Sequence, residues 1–121
     1  KAYETYVGTK KFQPPHNKVF AHIQEAGQEF GATTGRVRQC NWISLPFLKK
    51  SVQLNGVNRV VINKMDIMRQ VGNWSLRNND GKSDFFEYFS TEEDFTNRIE
   101  EFLAGTGKDM DIFFSDSPHK I

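Results

Sequence analysis

A chain of 121 residues, 37% of them hydrophobic, fits one domain with a moderate core, and folding removes roughly two-thirds of the unfolded surface from water. Sixteen basic against fifteen acidic residues exclude the large-scale field that draws nucleic acid or an anionic membrane, so any anion binding must be local. One cysteine, Cys40, excludes an internal disulfide and fits a reducing, cytoplasmic setting, while no apolar run is long enough to cross a bilayer and no signal-peptide pattern is present.

Lys1 to Gly8 alternates, with Tyr3, Thr5 and Val7 on one side, which predicts a short strand ending at a glycine. The prolines of Phe12-Gln13-Pro14-Pro15 require an extended or turning path. Asn17 caps a predicted helix, Asn17–Ala26, with Val19, Phe20, Ile23 and Ala26 inward and Gly27 at its end. His16 and His22 have no cysteine or histidine partner at metal-ligand spacing and read as surface residues. A second helix is expected over Ser44–Asn55, with Leu45, Leu48 and Val52 inward and Asn55-Gly56 ending it in a left-handed cap. Val57–Ile62 is β-branched and apolar enough for a strand buried on both faces. Met68 to Gly81 has little periodicity and reads as an irregular excursion with a hairpin turn at Asn79-Asp80-Gly81. Trp74 reads as packing, and the run Phe85, Phe86, Tyr88, Phe89 as core or subunit contact. Ser90-Thr91-Glu92-Glu93 opens a helix as a capping box, with Phe95, Ile99, Phe102 and Leu103 inward, Gly105 at its end and its acidic residues on the helix dipole. Met110–Phe114 is a second buried strand candidate, running into Ser115-Asp116-Ser117-Pro118. The strands and packed helices imply an α+β fold with a mixed sheet.

Two stretches carry chemistry. Gly31-Ala32-Thr33-Thr34-Gly35-Arg36-Val37-Arg38 places two glycines, two hydroxyls and two guanidiniums in eight residues. Glycines let main-chain N–H groups approach an anion, hydroxyls donate to carboxylate oxygens, and guanidinium forks bind carboxylate or phosphate bidentately. Composition alone favours a solvated basic turn, since short Gly/Thr/Arg loops are common on surfaces. Asn63-Lys64-Met65-Asp66 follows a predicted strand directly. A carboxylate there can accept from the ring N1–H and exocyclic amine of guanine, while the Lys64 stem lies along the base and its ammonium stays wet.

Glu29 to Trp42, EFGATTGRVRQCNW, resembles the aspartate-binding loop of the adenylosuccinate synthetases, EFGATTGRxRRxGW, with identity unbroken from Gly31 to Arg36. Asn63–Asp66 is similar to that family's T/N-K-x-D, which small GTPases also carry, and Ser115–Pro118 resembles its S-x-G-P turn with Ser117 in place of glycine. Tyr3–Gly8 looks like its Y-x-T-R-V-G, although Tyr6 stands where an arginine is usual. The resemblance implies that Ala32, Thr33, Thr34, Gly35, Arg36, Val37 and Arg38 bind aspartate, with Arg36 bridging to the IMP ribose, Arg38 reaching toward GTP and Val7 near the ribose. It further implies that Lys64, Met65 and Asp66, with Ser115, Asp116 and Ser117, hold guanine; Ser117 departs from the family's glycine and would strain a turn that needs a positive backbone angle there.

The family joins IMP to L-aspartate with GTP and Mg²⁺ and is homodimeric, its phosphate loop, general base and catalytic histidine lying in an N-terminal part. No such phosphate loop occurs here, and the chain starts at Lys1 without methionine. Residues 1–121 are therefore expected to be the C-terminal recognition portion of a larger GTP-dependent synthetase, α/β as a whole, with neither catalytic residue nor Mg²⁺ ligand of its own and no nucleic-acid or membrane partner. A guanine-nucleotide-binding module and a phage-type synthetase acting on dGMP are the alternatives.

Overall fold

The computed structural model describes residues 1–6, 11–14, 18–29, 38–56, 58–106 and 110–116. In chain order its elements are β1 (Tyr3–Tyr6), α1 (Lys18–Ala26), β2 (Gln39–Ser44), α2 (Leu45–Asn55), β3 (Arg59–Ile62), α3 (Met65–Val71), β4 (Trp74–Asn79), β5 (Asp84–Phe89), α4 (Glu92–Ala104) and β6 (Asp111–Phe114). The α+β class follows the sequence expectation, and the mixed sheet has the order β1-β2-β4-β5. In it β1 runs antiparallel to β2, β2 parallel to β4, and β4 antiparallel to β5. A second, two-stranded parallel sheet joins β3 to β6. The Ala2 N–H donates to the Asn63 carbonyl at 2.9 Å, so the start of β1 meets the end of β3.

Each predicted helix forms for the reason its sequence supplies. α1 buries Phe20 and Ile23, and the Gly27 N–H closes its end on the Ile23 carbonyl. Ser44 caps α2, its hydroxyl accepting from the Phe47 N–H, and Gly56 ends it at φ 60°. The cap of α4 is Thr91, which accepts from the Asp94 N–H at 3.1 Å, so the capping motif sits one residue later than Ser90. Phe95, Ile99 and Leu103 face the core from α4, and the Trp74 and Phe89 rings lie 5.1 and 6.5 Å from the Phe95 ring.

Four expectations change. Met68–Gly81 is not irregular: α3 and β4 occupy most of it, and only the turn before β5 stands as expected. Lys64 precedes α3 at φ 61° without a side-chain cap, and Met65 to Met68 are all buried, so neither a cap nor an amphipathic period marks the helix in sequence. The sequence places a helix from Ser44 with no strand before it, whereas β2 leads into α2. The central residues of β2, Cys40 to Ile43, are buried, and the polar one among them is satisfied there: Asn41 donates to the Phe12 carbonyl at 2.9 Å and accepts from the Trp42 N–H at 2.8 Å. Neither β3 nor β6 is buried on both faces, because Val61 and its register partner Phe113 remain 57% and 49% exposed. The core reading of the aromatic run fails for Phe85, Phe86 and Tyr88, which β5 presents to solvent at the edge of the sheet. Asn17, Val57 and Val7 lie outside the described residues.

Phe95 has no solvent exposure between the two rings. Phe95→Ala is expected to cost about 3–5 kcal/mol, read as a lowered urea midpoint with an unchanged slope; a loss below about 1 kcal/mol would show that α4 does not anchor the hairpin.

Candidate functional site

The C-terminal turn of α1 delivers the side chain around which the site is built. After Gly27, Gln28 takes φ 50° and turns Glu29 inward, where it has 0% exposure. The Glu29 N–H donates to the Gln24 carbonyl and its own carbonyl accepts from the Arg38 N–H, both at 2.9 Å. Its carboxylate accepts from the Tyr3 hydroxyl at 2.6 Å, Arg38 Nη1 at 3.1 Å, Lys1 Nζ at 3.2 and 3.3 Å, and Lys64 Nζ at 3.4 Å. Three cations and a phenol thus reach one buried carboxylate from β1, the approach to β2 and the end of β3. Gly27 makes room for them, since a Cβ there would stand 2.3 Å from the Tyr3 hydroxyl oxygen.

Burial would push the Glu29 carboxyl up, but the Tyr3 hydrogen bond and the Lys1 and Lys64 ammoniums outweigh it and hold the group below the usual glutamate value. The Tyr3 phenol moves far up, first through burial and then through its bond to Glu29. The Cys40 thiol is pushed up to about 12 by burial, with Glu29 adding to the rise. Such a thiol stays protonated at neutral pH, the form that is a poor nucleophile.

Of the residues singled out in the sequence, Arg38 and Lys64 come together on Glu29. The Lys64 ammonium is not wet: besides Glu29 it binds the Gly27 carbonyl at 3.2 Å, and its side chain is 16% exposed. The carbonyl and carboxylate replace the water that a lone lysine at a strand end would have kept. Met65 and Ser115 are joined through the main chain, the Ser115 N–H donating to the Ile62 carbonyl at 2.9 Å and its carbonyl accepting from the Met65 N–H at 3.0 Å. The turn after β6 therefore borders the motif after β3. Asp66 is buried in the first turn of α3. Asn63 Oδ1 is buried with no hydrogen-bond donor among the described residues. Asp116 lies further out, where Arg69 links it at 3.4 Å and Glu92 at 2.5 Å. Ala32, Thr33, Thr34, Gly35, Arg36, Val37 and Ser117 lie outside the described residues. Sequence reasoning missed Glu29 as a member of the site, with Tyr3 and Gly27 packed behind it as structural support; a charge one turn past a helix ordinarily faces water, so only the convergence of three elements reveals it.

Among the described residues no three His, Cys, Asp or Glu side chains stand close enough to hold a metal ion. No described helix is long and apolar enough to cross a membrane.

The family model described as adenylosuccinate synthetase matches residues 1–79. The adenylosuccinate synthetase of Methanococcoides burtonii is 45% identical over 69 residues, 56% of this chain and 16% of that protein. That of Paramecium tetraurelia is 44% identical over the same shares. The chain thus matches about a sixth of the length of these curated relatives. Among solved structures, that of fully ligated adenylosuccinate synthetase from Plasmodium falciparum superposes with a TM-score of 0.72 at 19% identity, covering 93% of this chain and 34% of that one.

The sign of the Glu29 shift sets a pH dependence. A carboxyl held below its ordinary 4.5 contributes stability that is complete above that value and lost as the pH falls through the lower, native one. Glu29→Gln is expected to lower stability by about 2–4 kcal/mol at pH 7. In urea titrations the gap to the parent protein should narrow below pH 4.5, and a gap that does not change with pH would contradict an ionised Glu29.

Proposed function

This chain belongs to the adenylosuccinate synthetase family, and from that premise we propose that residues 1–121 are the C-terminal, aspartate- and guanine-nucleotide-recognition portion of a GTP-dependent C–N ligase of purine nucleotide biosynthesis. The reaction joins IMP and L-aspartate to give adenylosuccinate, GDP and phosphate. GTP phosphorylates the 6-oxygen of IMP, and the aspartate amine then displaces that oxygen as phosphate.

The observation that supports this reading best is the sharing of Glu29 by Arg38 and Lys64, which ties the aspartate-loop motif to the guanine motif. Ala32 and the hydroxyls and main chain of Thr33 and Thr34 would take the aspartate carboxylates, beside Gly35 and Val37. Arg36 would bridge aspartate and the IMP ribose, and Arg38, a member of the aspartate loop, would reach toward the GTP where the anionic ligands meet. Asp66 would accept from the two donors on the guanine edge, with Lys64 and Met65 on the base and Ser115, Asp116 and Ser117 along its other side. The buried acceptor Asn63 Oδ1, next to Lys64 and with no donor among the described residues, suits a ligand rich in N–H groups, since such an atom costs about 1–3 kcal/mol unless paired. In this reading the Mg²⁺ ligands and the phosphoryl-transfer residues lie in another part of the full-length enzyme. A homodimer in the cytoplasm belongs to the same reading.

Two measurements on the full-length enzyme test it. Arg36→Leu should cut kcat/KM for aspartate at least about 100-fold, because a buried carboxylate loses a bidentate partner worth roughly 3 kcal/mol; a change under threefold removes Arg36 from the aspartate site. Asp66→Asn puts a donor where guanine needs an acceptor and suits xanthine, whose 2-oxygen accepts. It should lose at least about tenfold in kcat/KM for GTP, gain relative use of XTP, and leave the aspartate KM nearly unchanged. An unaltered GTP-to-XTP preference would mean that Asp66 does not read the base.

A further inference from the structure

We infer that Glu29 is a positioning residue that couples the two recognition motifs, holding Arg38 and Lys64 in one arrangement so that occupancy of the guanine side sets the geometry of the aspartate side. This rests on the reading above for what each motif binds.

The coupling is local and physical. Glu29 Oε1 faces Arg38 and Oε2 faces Lys64, so one rigid carboxyl plane separates the two cations. The main chain reinforces each arm independently. Arg38 is fixed through its N–H on the Glu29 carbonyl and through its own carbonyl, which accepts from Gln24 Nε2 at 2.8 Å. Lys64 is fixed by the Gly27 carbonyl at 3.2 Å. Gln24, Gly27 and Glu29 belong to the last turn of α1 and its exit, so a displacement of Lys64 is passed to Arg38 through one short, hydrogen-bonded turn. With 0% exposure, Glu29 has no water to absorb the movement of either partner, and a change at one arm must be answered at the other. Tyr3 anchors Oε2 from β1 but belongs to neither motif.

Steady-state kinetics of the full-length enzyme separate this coupling from the assignment of the motifs. Lys64→Met keeps the stem and removes the charge. Under the motif assignment its KM for GTP rises, and under the coupling its KM for aspartate, measured at saturating GTP, also rises at least about threefold, that is, roughly 0.65 kcal/mol by RT ln 3. If the GTP KM rises while the aspartate KM stays within about 1.5-fold, the coupling is overturned and the motif assignment stands. If neither moves, both fall. Glu29→Gln should raise both KM values about fivefold or more with kcat within about threefold. Tyr3→Phe, which removes the 2.6 Å bond and leaves all three cations on the carboxylate, should lower the melting temperature and leave both KM values within about twofold. Equal KM increases in Tyr3→Phe and Glu29→Gln would reduce Glu29 to a structural role and overturn the proposal. Should Glu29→Gln fail to fold, the aspartate KM of Lys64→Met alone decides.

Discussion

The constraint on which this structure depends is a carboxylate with no access to water. Burying an ion costs several kcal/mol even after relaxation, and the cost is met only if opposite charges and hydrogen bonds surround it. Glu29 obtains them from three parts of the chain: Lys1 and Tyr3 at the start of β1, Arg38 before β2, and Lys64 after β3. Satisfying that one group therefore helps to set the pairing of β1 with β2, in which Tyr3 faces Trp42, and to bring the end of β3 against the end of α1. The same demand explains Gly27, where no side chain fits beside the Tyr3 hydroxyl.

The second sheet shows how composition and burial separate. β3 is β-branched and apolar in the manner of strands covered on both faces, yet its alternation leaves Arg59 and Val61 outward and Val60 and Ile62 inward. Val61 lies beside Phe113 of β6, and the Arg59 guanidinium sits 5.6 Å from the Phe113 ring. Its placement beside α3 and the turn after β6 is what carries the site, because Ser115 hydrogen-bonds both the last residue of β3 and the first residue of α3. The exposed side of this sheet plays no part in that arrangement.

Legibility followed the strength of the local signal. α1, α2 and α4 were readable because their apolar residues recur at helical spacing and a cap or a terminal glycine marks at least one end of each. β3 and β6 were readable as β-branched or aromatic runs. β2 was not, because it lacks alternation and its polar groups are satisfied by partners distant in sequence, such as Phe12 for Asn41 and Gln13 for the Cys40 N–H. α3 was not, because it begins at a left-handed lysine and buries its whole first turn. The motif residues were found by resemblance, whereas Glu29, already inside the resembling stretch, acquired a role only when the positions of Tyr3, Arg38 and Lys64 were known.

An apolar side chain could have filled the space of Glu29 at comparable stability, since replacing a buried ionic cluster by well-packed hydrophobic residues is often neutral or favourable. What such a replacement could not do is orient cations. Arg38 and Lys64 have long stems with many rotamers, and ordering each costs about 1.5–2 kcal/mol of side-chain entropy. A ligand that meets them already ordered does not bear that cost on binding. One carboxylate against three cations also leaves a net positive cluster, so the arrangement fixes two basic groups without cancelling their charge. That combination suits recognition of anionic substrates, and it accounts for a buried charge where packing alone would have favoured none.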